Sequence, residues 1–301
     1  MDSASLAAML ADVEQQHINL HSLLVIRHGF VVSETYYPPY TAQTRHELYS
    51  VTKSFTATLI GIAIDQGKLS LEDRVLDLLG KRTFSNVDER KQAMTVAHLL
   101  SMASGLQWVE GDPTYQAMYY SKDWVKYVLD APMLADPGSQ FVYCSGCSHV
   151  LSAIVAVASG MNALQYAQQY LFAPIGITGE QWDLDSQDIP IGGWGLNLTP
   201  RAMARLGYLY LHAGRWQNQQ VVSAEWVKAA TEMKMESDGL GYGYQWWIDP
   251  DLGGYAALGR YGQTIYVLPR LDLVIVFTAQ VDDHDDEFRL IREYIVPAVS
   301  K

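Results

Sequence analysis

The sequence predicts an α+β fold, in which an antiparallel β-sheet is flanked by terminal helices and joined by a mainly helical subdomain. Segments with strand character occur near both ends of the chain, the middle shows helical patterning, and short turns separate the late strands. Short connections favour antiparallel pairing, because parallel neighbours need long crossovers. We therefore expect one domain over residues 1–301, with a sheet subdomain at about 1–70 and 236–301 and a helical subdomain at about 71–235.

The N-terminal part of the chain contains both kinds of pattern. Residues 4–17 place apolar side chains at helical spacing, and short apolar runs on either side of His28-Gly29 predict a strand–turn–strand unit. A helix is predicted over residues 50–64, and the Gln66-Gly67 pair would end it. The later predicted elements are strands at 242–248, 255–258, 264–268 and 273–279, a hairpin turn at 269–272, and a helix at about 287–299.

The amino-acid composition argues against some classes of binding partner. The chain is 49% hydrophobic and 18% charged, which is typical of a globular protein. Its net charge of −12 argues against a nucleic-acid partner, which requires clustered basic residues. The longest apolar stretch, residues 150–164, is shorter than the ~20 residues of a membrane span. We expect a soluble protein, cytoplasmic or exported after loss of a signal segment; compartment and oligomeric state stay open.

Metal-binding patterns are weak. Cys144 and Cys147 are the two cysteines, and two thiols cannot form a zinc site alone; two small buried residues are favoured over a redox pair. The acidic run at 282–287 is better explained as the N-terminal turn of the last helix than as a metal site. We therefore expect no metal and no cofactor.

Ser50-Val51-Thr52-Lys53 is the Ser-x-x-Lys of this chain, at the start of a predicted helix. Residues three apart share a helix face, so the Lys53 amine can lie beside the Ser50 hydroxyl. Burial and the helix N-terminus would lower the pKa of the amine and make it available as a base. The alternative is an ordinary first helical turn capped by a serine.

Tyr143-Cys144-Ser145 follows a tight turn and precedes an apolar helix. A phenol near a cation can relay protons, and the Ser145 hydroxyl could bind Lys53. The alternative is a half-buried tyrosine at a helix start, and residues 119–121 have the same Tyr-x-Ser form. The turn before Tyr143 makes it the better candidate.

A third candidate lies between two late predicted strands, at Gly259-Arg260-Tyr261-Gly262-Gln263. Arg260 could hold a carboxylate at a cleft mouth, and a neighbouring glycine would let a substrate approach the backbone. The alternative is an exposed hairpin loop.

These three motifs, in this order, resemble those of the penicillin-recognising serine hydrolases, which include class C β-lactamases, DD-peptidases, esterases and nylon-oligomer hydrolases. The resemblance covers roughly residues 20–297. Further segments that resemble the family are residues 98–106, 137–143, 195–201 and 242–247.

The resemblance implies an acyl-enzyme at Ser50, with Lys53 and Tyr143 sharing proton transfer in an order left open and Ser145 orienting Lys53. It also implies an oxyanion hole formed by the backbone N–H groups of Ser50 and Gln263. Arg260, Tyr261 and Gly262 would contact the substrate. Trp194 and Trp246 would line an apolar cleft, unless they belong to the core.

Two departures from the β-lactamase pattern favour a carboxylesterase or amidase. Ser145 stands where class C β-lactamases usually have Asn, and Arg260-Tyr261-Gly262 stands where they have Lys-Thr-Gly. The expected partner is a small-molecule ester, amide or β-lactam. The alternatives are a β-lactamase or DD-peptidase, and a penicillin-binding sensor or scaffold without turnover.

Overall fold

The computed structural model describes residues 1–237 and 239–299 of the chain. Within these ranges the helices are α1 Ser3–Gln15, α2 Thr52–Asp65, α3 Val75–Leu78, α4 Glu89–Gln92, α5 Val96–Leu100, α6 Thr114–Tyr120, α7 Trp124–Asp130, α8 Ser145–Ser159, α9 Ala163–Ala167, α10 Ala173–Ile175, α11 Pro200–Leu211, α12 Ala224–Ala230, α13 Asp285–Leu290 and α14 Val296–Val299. Short π-helical turns, Gln168–Phe172 and Ile291–Ile295, join α9 to α10 and α13 to α14.

The strands form one large sheet and two small ones in the described part of the chain. They are β1 Leu20–Arg27, β2 Phe30–Tyr36, β3 His46–Glu47, β4 Gln181–Trp182, β5 Leu196–Leu198, β6 Arg215–Trp216, β7 Gln219–Gln220, β8 Met235–Ser237, β9 Leu240–Tyr242, β10 Trp247–Asp249, β11 Gly254–Gly259, β12 Gln263–Leu268 and β13 Leu273–Ala279. The large sheet has the order β2-β1-β13-β12-β11-β10-β9-β8, and its pairs are antiparallel. The predicted fold class is confirmed.

The centre of the large sheet is buried on both faces. Successive side chains of a strand point to opposite faces, so β1 supplies two cores. Leu24 and Ile26 belong to the core shared with the helical region, whereas Leu23 and Val25 belong to a second core. Helices α1, α13 and α14 cover that second core, as predicted for the terminal helices.

Helix α2 is the central helix of the larger core. Its residues from Thr52 to Ala63 are buried, because it packs against α8, α9 and the sheet. A helix that is enclosed on all sides needs small or apolar side chains around its whole circumference. Lys53 is therefore an exception within α2, and the exception lies at the end of the helix next to Ser50.

Two predicted elements are wrong in detail. The predicted strand at 242–248 is two strands, β9 and β10, separated by a turn in which Gln245 has a φ of +61°. Hydrogen bonds to distant segments hold this turn: Gln245 Nε2 donates to the Leu100 carbonyl at 2.7 Å, and Ser148 Oγ donates to Gln245 Oε1 at 2.6 Å. The helix predicted from Ser50 begins at Thr52, after a 3₁₀ turn. The division into subdomains remains a prediction.

Within residues 1–237 and 239–299, no individual helix has both the length and the apolar composition of a membrane span. The pair Ser145–Ser159 and Ala163–Ile175 meets it only together, with a bend of 72° between the two helices.

Substitution of Gly61 in α2 would test how tightly this central helix is packed. An added Cβ would lie 2.4 Å from the ring of Trp226, so Gly61→Ala should lower the free energy of unfolding by about 1–3 kcal/mol, measured by urea denaturation. Helix propensity alone predicts the opposite sign, a gain of about 1 kcal/mol. In a Trp226→Ala background the loss should disappear. An equal loss in both backgrounds would contradict the proposed clash.

Candidate active site

Ser50 lies in the 3₁₀ turn Tyr49–Val51, which leads directly into α2. The end of strand β11 packs against this turn. An added Cβ on Gly259 would lie 2.3 Å from the Leu48 carbonyl oxygen and 3.2 Å from the Val51 nitrogen. Because no side chain fits in this space, the glycine allows the end of β11 to lie beside the serine.

Lys53 points at Ser50. Its Nζ donates hydrogen bonds to Ser50 Oγ at 2.8 Å and to the Gly193 carbonyl at 2.9 Å. The side chain is buried, and burial lowers the pKa of Lys53 to about 8, although the negative charge of Glu110 acts in the opposite direction. The site thus holds an amine that can be neutral at physiological pH, in contact with a hydroxyl.

Tyr143 lies on the other side of Ser50, just before α8. Lys53 Nζ is 4.8 Å from the centre of its ring, and Trp247 stacks on that ring at 5.8 Å. Burial raises the pKa of the Tyr143 phenol well above its usual value, while a hydrogen bond with Ser50 acts to lower it. At neutral pH the phenol therefore keeps its proton.

Ser145 does not contact Lys53, contrary to the prediction. Its hydroxyl donates to Glu110 Oε1, and its backbone N–H donates to Glu110 Oε2 at 3.1 Å. The second acceptor of Lys53 is the Gly193 carbonyl instead. The reason is the loop that contains Gly193, which lies between the start of α8 and Lys53.

Sequence reasoning missed Glu110. Besides the two groups of Ser145, it accepts hydrogen bonds from Trp108 Nε1 at 2.7 Å and from the Tyr115 hydroxyl. No motif identifies this glutamate. The nearest signal is its position just after the family-like segment at 98–106.

Of the residues predicted in the hairpin between β11 and β12, Arg260 is the one that lines the cavity. Arg260 lines the cavity in front of Ser50, and its backbone N–H makes no hydrogen bond within the described residues. Gln263 is 3% exposed and pairs with Gly259 in the ladder, while its side chain donates to the Ala279 carbonyl at 2.8 Å. Arg260 thus lines the cavity, while the oxyanion role of the Gln263 backbone N–H stays a prediction.

Tyr261 and Gly262 support the hairpin and do not line the cavity. Tyr261 has a φ of +64° and packs its ring edgewise against Tyr49 at 5.3 Å. An added Cβ on Gly262 would lie 2.4 Å from Glu287 Oε1, so this glycine lies against α13. Tyr261 is partly exposed and Gly262 is buried, and their contacts with a substrate stay a prediction.

The two predicted tryptophans have different positions. Trp194 lines the cavity and packs against Tyr115, with ring centres 5.3 Å apart. Trp246 is fully buried between Tyr210 and Tyr255, with ring centres at 4.5 and 5.5 Å. The prediction of a substrate contact for Trp246 is wrong, because this side chain belongs to the core.

The cavity in front of Ser50 has a volume of about 750 Å³. Its walls contain carboxylates from several segments. Among the described residues that line it, Arg260 is the one with a positively charged side chain. Burial and the nearby charge of Asp183 raise the pKa of Glu47. The lining residues are Glu47, Tyr49, Ser50, Glu110, Gly111, Asp112, Tyr115, Tyr119, Tyr143, Ser145, Asp183, Gly193, Trp194 and Arg260.

Cys144 and Cys147 are buried, as predicted, but they form a disulfide bond and are not free thiols. Their Cα atoms are 5.2 Å apart at the first turn of α8, within the range that a disulfide spans. Spacing alone did not distinguish this pairing from two packed thiols.

The acidic run near the C-terminus forms the first turn of α13, through Asp285, Asp286 and Glu287. His284 Nδ1 lies 3.0 Å from Glu287 Oε2. Among residues 1–237 and 239–299, no group of three His, Cys, Asp or Glu side chains is arranged to hold a metal ion.

Comparison with known families agrees with this arrangement. Residues 7–299 match the family described as Beta-lactamase. The chain belongs to the beta-lactamase family. A relative that is similar over most of the chain is named as a hydrolase, so the chain is a serine hydrolase of this family, and the resemblance seen in its motifs is confirmed.

Three relatives illustrate the range of the family. A 6-aminohexanoate-dimer hydrolase of Paenarthrobacter ureafaciens is 26% identical over 306 residues, covering 93% of this chain and 78% of the relative. The octameric penicillin-binding protein homologue from Pyrococcus abyssi has a TM-score of 0.75 at 19% identity, covering 99% and 78% of the two chains. A family VIII carboxylesterase has a TM-score of 0.77 at 15% identity, covering 98% and 96%.

Proposed function

We propose that this serine hydrolase is a carboxylesterase or amidase that forms an acyl-enzyme at Ser50. The observation that supports this most strongly is the 2.8 Å hydrogen bond between Ser50 Oγ and the buried Lys53 amine, whose pKa is lowered to about 8. The nucleophile and its base are in contact before any substrate binds, as nucleophilic catalysis requires.

Lys53 is the better general base of the two candidates. With a pKa of about 8, about one tenth of the amine is neutral at pH 7. The Tyr143 phenol has a raised pKa and keeps its proton, so it acts as a donor. In acylation, Ser50 Oγ attacks the carbonyl carbon and its proton passes to Lys53 Nζ.

The leaving group then departs with a proton. The Lys53 ammonium returns this proton to the leaving oxygen or nitrogen, and Tyr143, which shares a hydrogen bond with Ser50, lies where it can relay it. Water attacks the acyl carbon in the second half of the reaction, releasing the acid and restoring Ser50.

The oxyanion hole pairs the backbone N–H groups of Ser50 and Arg260. Gly259 brings the end of β11 against the Ser50 turn, and the free N–H of Arg260 is the next one along the chain. Backbone donors near the reacting carbonyl stabilise the charge that develops on its oxygen. The Gln263 N–H, which the family resemblance implies, is the alternative second donor; Gln263 pairs with Gly259 at the same end of the hairpin.

The cavity charge supports esters and amides over β-lactams. Glu110, Asp112 and Asp183 line it against one cation, Arg260. A β-lactam antibiotic carries a carboxylate, which these side chains would repel. The similarity to a relative named 6-aminohexanoate-dimer hydrolase is a separate support for an amide substrate, independent of the cavity charge.

The nucleophile is tested by labelling with a fluorophosphonate, which should give one adduct, on Ser50, by peptide mass spectrometry. Ser50→Ala should remove the adduct and the hydrolysis of p-nitrophenyl butyrate, whereas Ser121→Ala, in the similar Tyr-x-Ser segment, should change neither. An adduct on another serine would contradict the proposal. Faster turnover of nitrocefin than of the ester would make the protein a β-lactamase, and one acylation without turnover would make it a sensor.

The pH dependence of kcat/KM tests the base. Lys53 must be neutral to accept the proton, so activity should rise with pH through a midpoint near 8, the pKa of the buried amine. Lys53→Arg keeps the positive charge but cannot accept a proton, and should lower kcat by about 10³-fold. A rise that follows the usual pKa of a carboxyl group, or an active Lys53→Arg variant, would assign the base elsewhere.

Substrate charge is tested with p-nitrophenyl esters whose acyl chains end in an ammonium, a methyl or a carboxylate group. We expect kcat/KM to be about tenfold lower for the carboxylate ester than for the ammonium ester at low salt, and the gap to narrow in 1 M salt. Arg260→Ala should weaken the carboxylate ester further and leave the neutral one nearly unchanged. A preference for the carboxylate ester would contradict the proposed role of the cavity charge.

A further inference from the structure

Glu110 connects more parts of the site than any motif residue does. Its Oε1 accepts from the hydroxyls of Tyr115 and Ser145, and its Oε2 accepts from Trp108 Nε1 and from the Ser145 backbone N–H. Hydrogen bonds to a carboxylate are stronger than those between neutral groups. One side chain thereby ties its own loop to α6 and to α8.

The hydrogen bonds between Glu110 and the start of α8 also affect the position of Tyr143. Ser145 is the first residue of α8, and both its backbone N–H and its hydroxyl donate to Glu110. A negative charge at this end of a helix is also favourable, because the first N–H groups carry a positive potential. Tyr143 is two residues earlier, so the position of its phenol beside Ser50 depends on how this helix start is held.

The charge of the same carboxylate also acts on Lys53. Its charge acts to raise the pKa of the amine against the larger effect of burial, and no other charged group contributes appreciably. The remaining groups next to Lys53 are the Ser50 hydroxyl, the Tyr143 ring and the Gly193 carbonyl. The other ionisable side chains around the cavity are Glu47, Tyr49, Asp112, Tyr115, Tyr119, Asp183 and Arg260.

We propose that Glu110 is a positioning residue for acyl transfer: it holds the start of α8, and with it Tyr143, beside Ser50, and it presents a negative charge to Lys53. This inference rests on the proposed function, in which Lys53 is the base and Tyr143 the proton donor. It also explains why the Ser145 hydroxyl is directed away from Lys53.

The test is Glu110→Gln, which keeps the shape of the side chain but removes its charge and replaces one acceptor oxygen with a donor. We expect kcat for p-nitrophenyl butyrate to fall by about 10²-fold with little change in KM, because the reacting groups are displaced. We also expect the rise of kcat/KM with pH to move to lower pH by about half a unit. The shift is modest because Glu110 is exposed to the cavity and water screens its charge.

The downward pH shift separates this role from a merely structural one. A simple packing defect would lower the melting temperature or the fraction of protein labelled by fluorophosphonate without moving the pH profile. Glu110→Asp keeps the charge and should return the profile to that of the wild type. The exposed Glu225→Gln in α12 makes the same change of net charge and should match the wild type throughout.

Wild-type kcat and an unmoved pH profile in a folded Glu110→Gln would overturn the role of Glu110 and leave the proposed function intact. A wild-type protein without an adduct on Ser50 would overturn both. If Glu110→Gln does not fold, Ser145→Ala replaces it as the test of how Glu110 holds α8, because this variant removes one hydroxyl donor to Glu110. It should lower kcat by about tenfold without a downward pH shift, and wild-type kcat in this variant would overturn the proposal.

Discussion

The chemistry of this protein depends on one buried amine. A lysine enclosed by protein loses its hydration, which disfavours the ammonium form and lowers its pKa to about 8. The Nζ of Lys53 keeps its hydrogen-bonding capacity through the Ser50 hydroxyl and the Gly193 carbonyl. The same burial that costs stability thus produces a base next to a nucleophile, and the surrounding elements must be held tightly enough to keep water out.

Glycines make this enclosure possible where backbone segments meet. An added Cβ on Gly192 would lie 2.1 Å from the Ser148 carbonyl, and one on Gly193 would lie 2.8 Å from the Ser145 carbonyl. The loop that binds Lys53 therefore lies directly on α8. Gly259 has the equivalent role at the Ser50 turn. Three segments far apart in sequence approach one another closely because these positions have no side chain.

The walls of the cavity affect which substrates can reach Ser50. The family model covers nearly the whole chain, and proteins similar to it carry names as different as 6-aminohexanoate-dimer hydrolase and penicillin-binding protein 4. The cavity in front of Ser50 is lined by carboxylates and aromatic rings, with Arg260 as its cation among the described lining residues. Charge at the walls selects among substrates that the same nucleophile could attack, because like charges repel and opposite charges attract as a substrate approaches.

The sequence by itself determined the fold class, the presence of strands at both ends of the chain, and the pairing of Ser50 with Lys53. These depend on local periodicity, since residues three apart on a helical turn must be neighbours. The tertiary structure alone decided that Ser145 binds Glu110, that Arg260 lines the cavity, and that Trp246 belongs to the core. Each of these depends on distances between segments far apart in the chain, which no local spacing encodes.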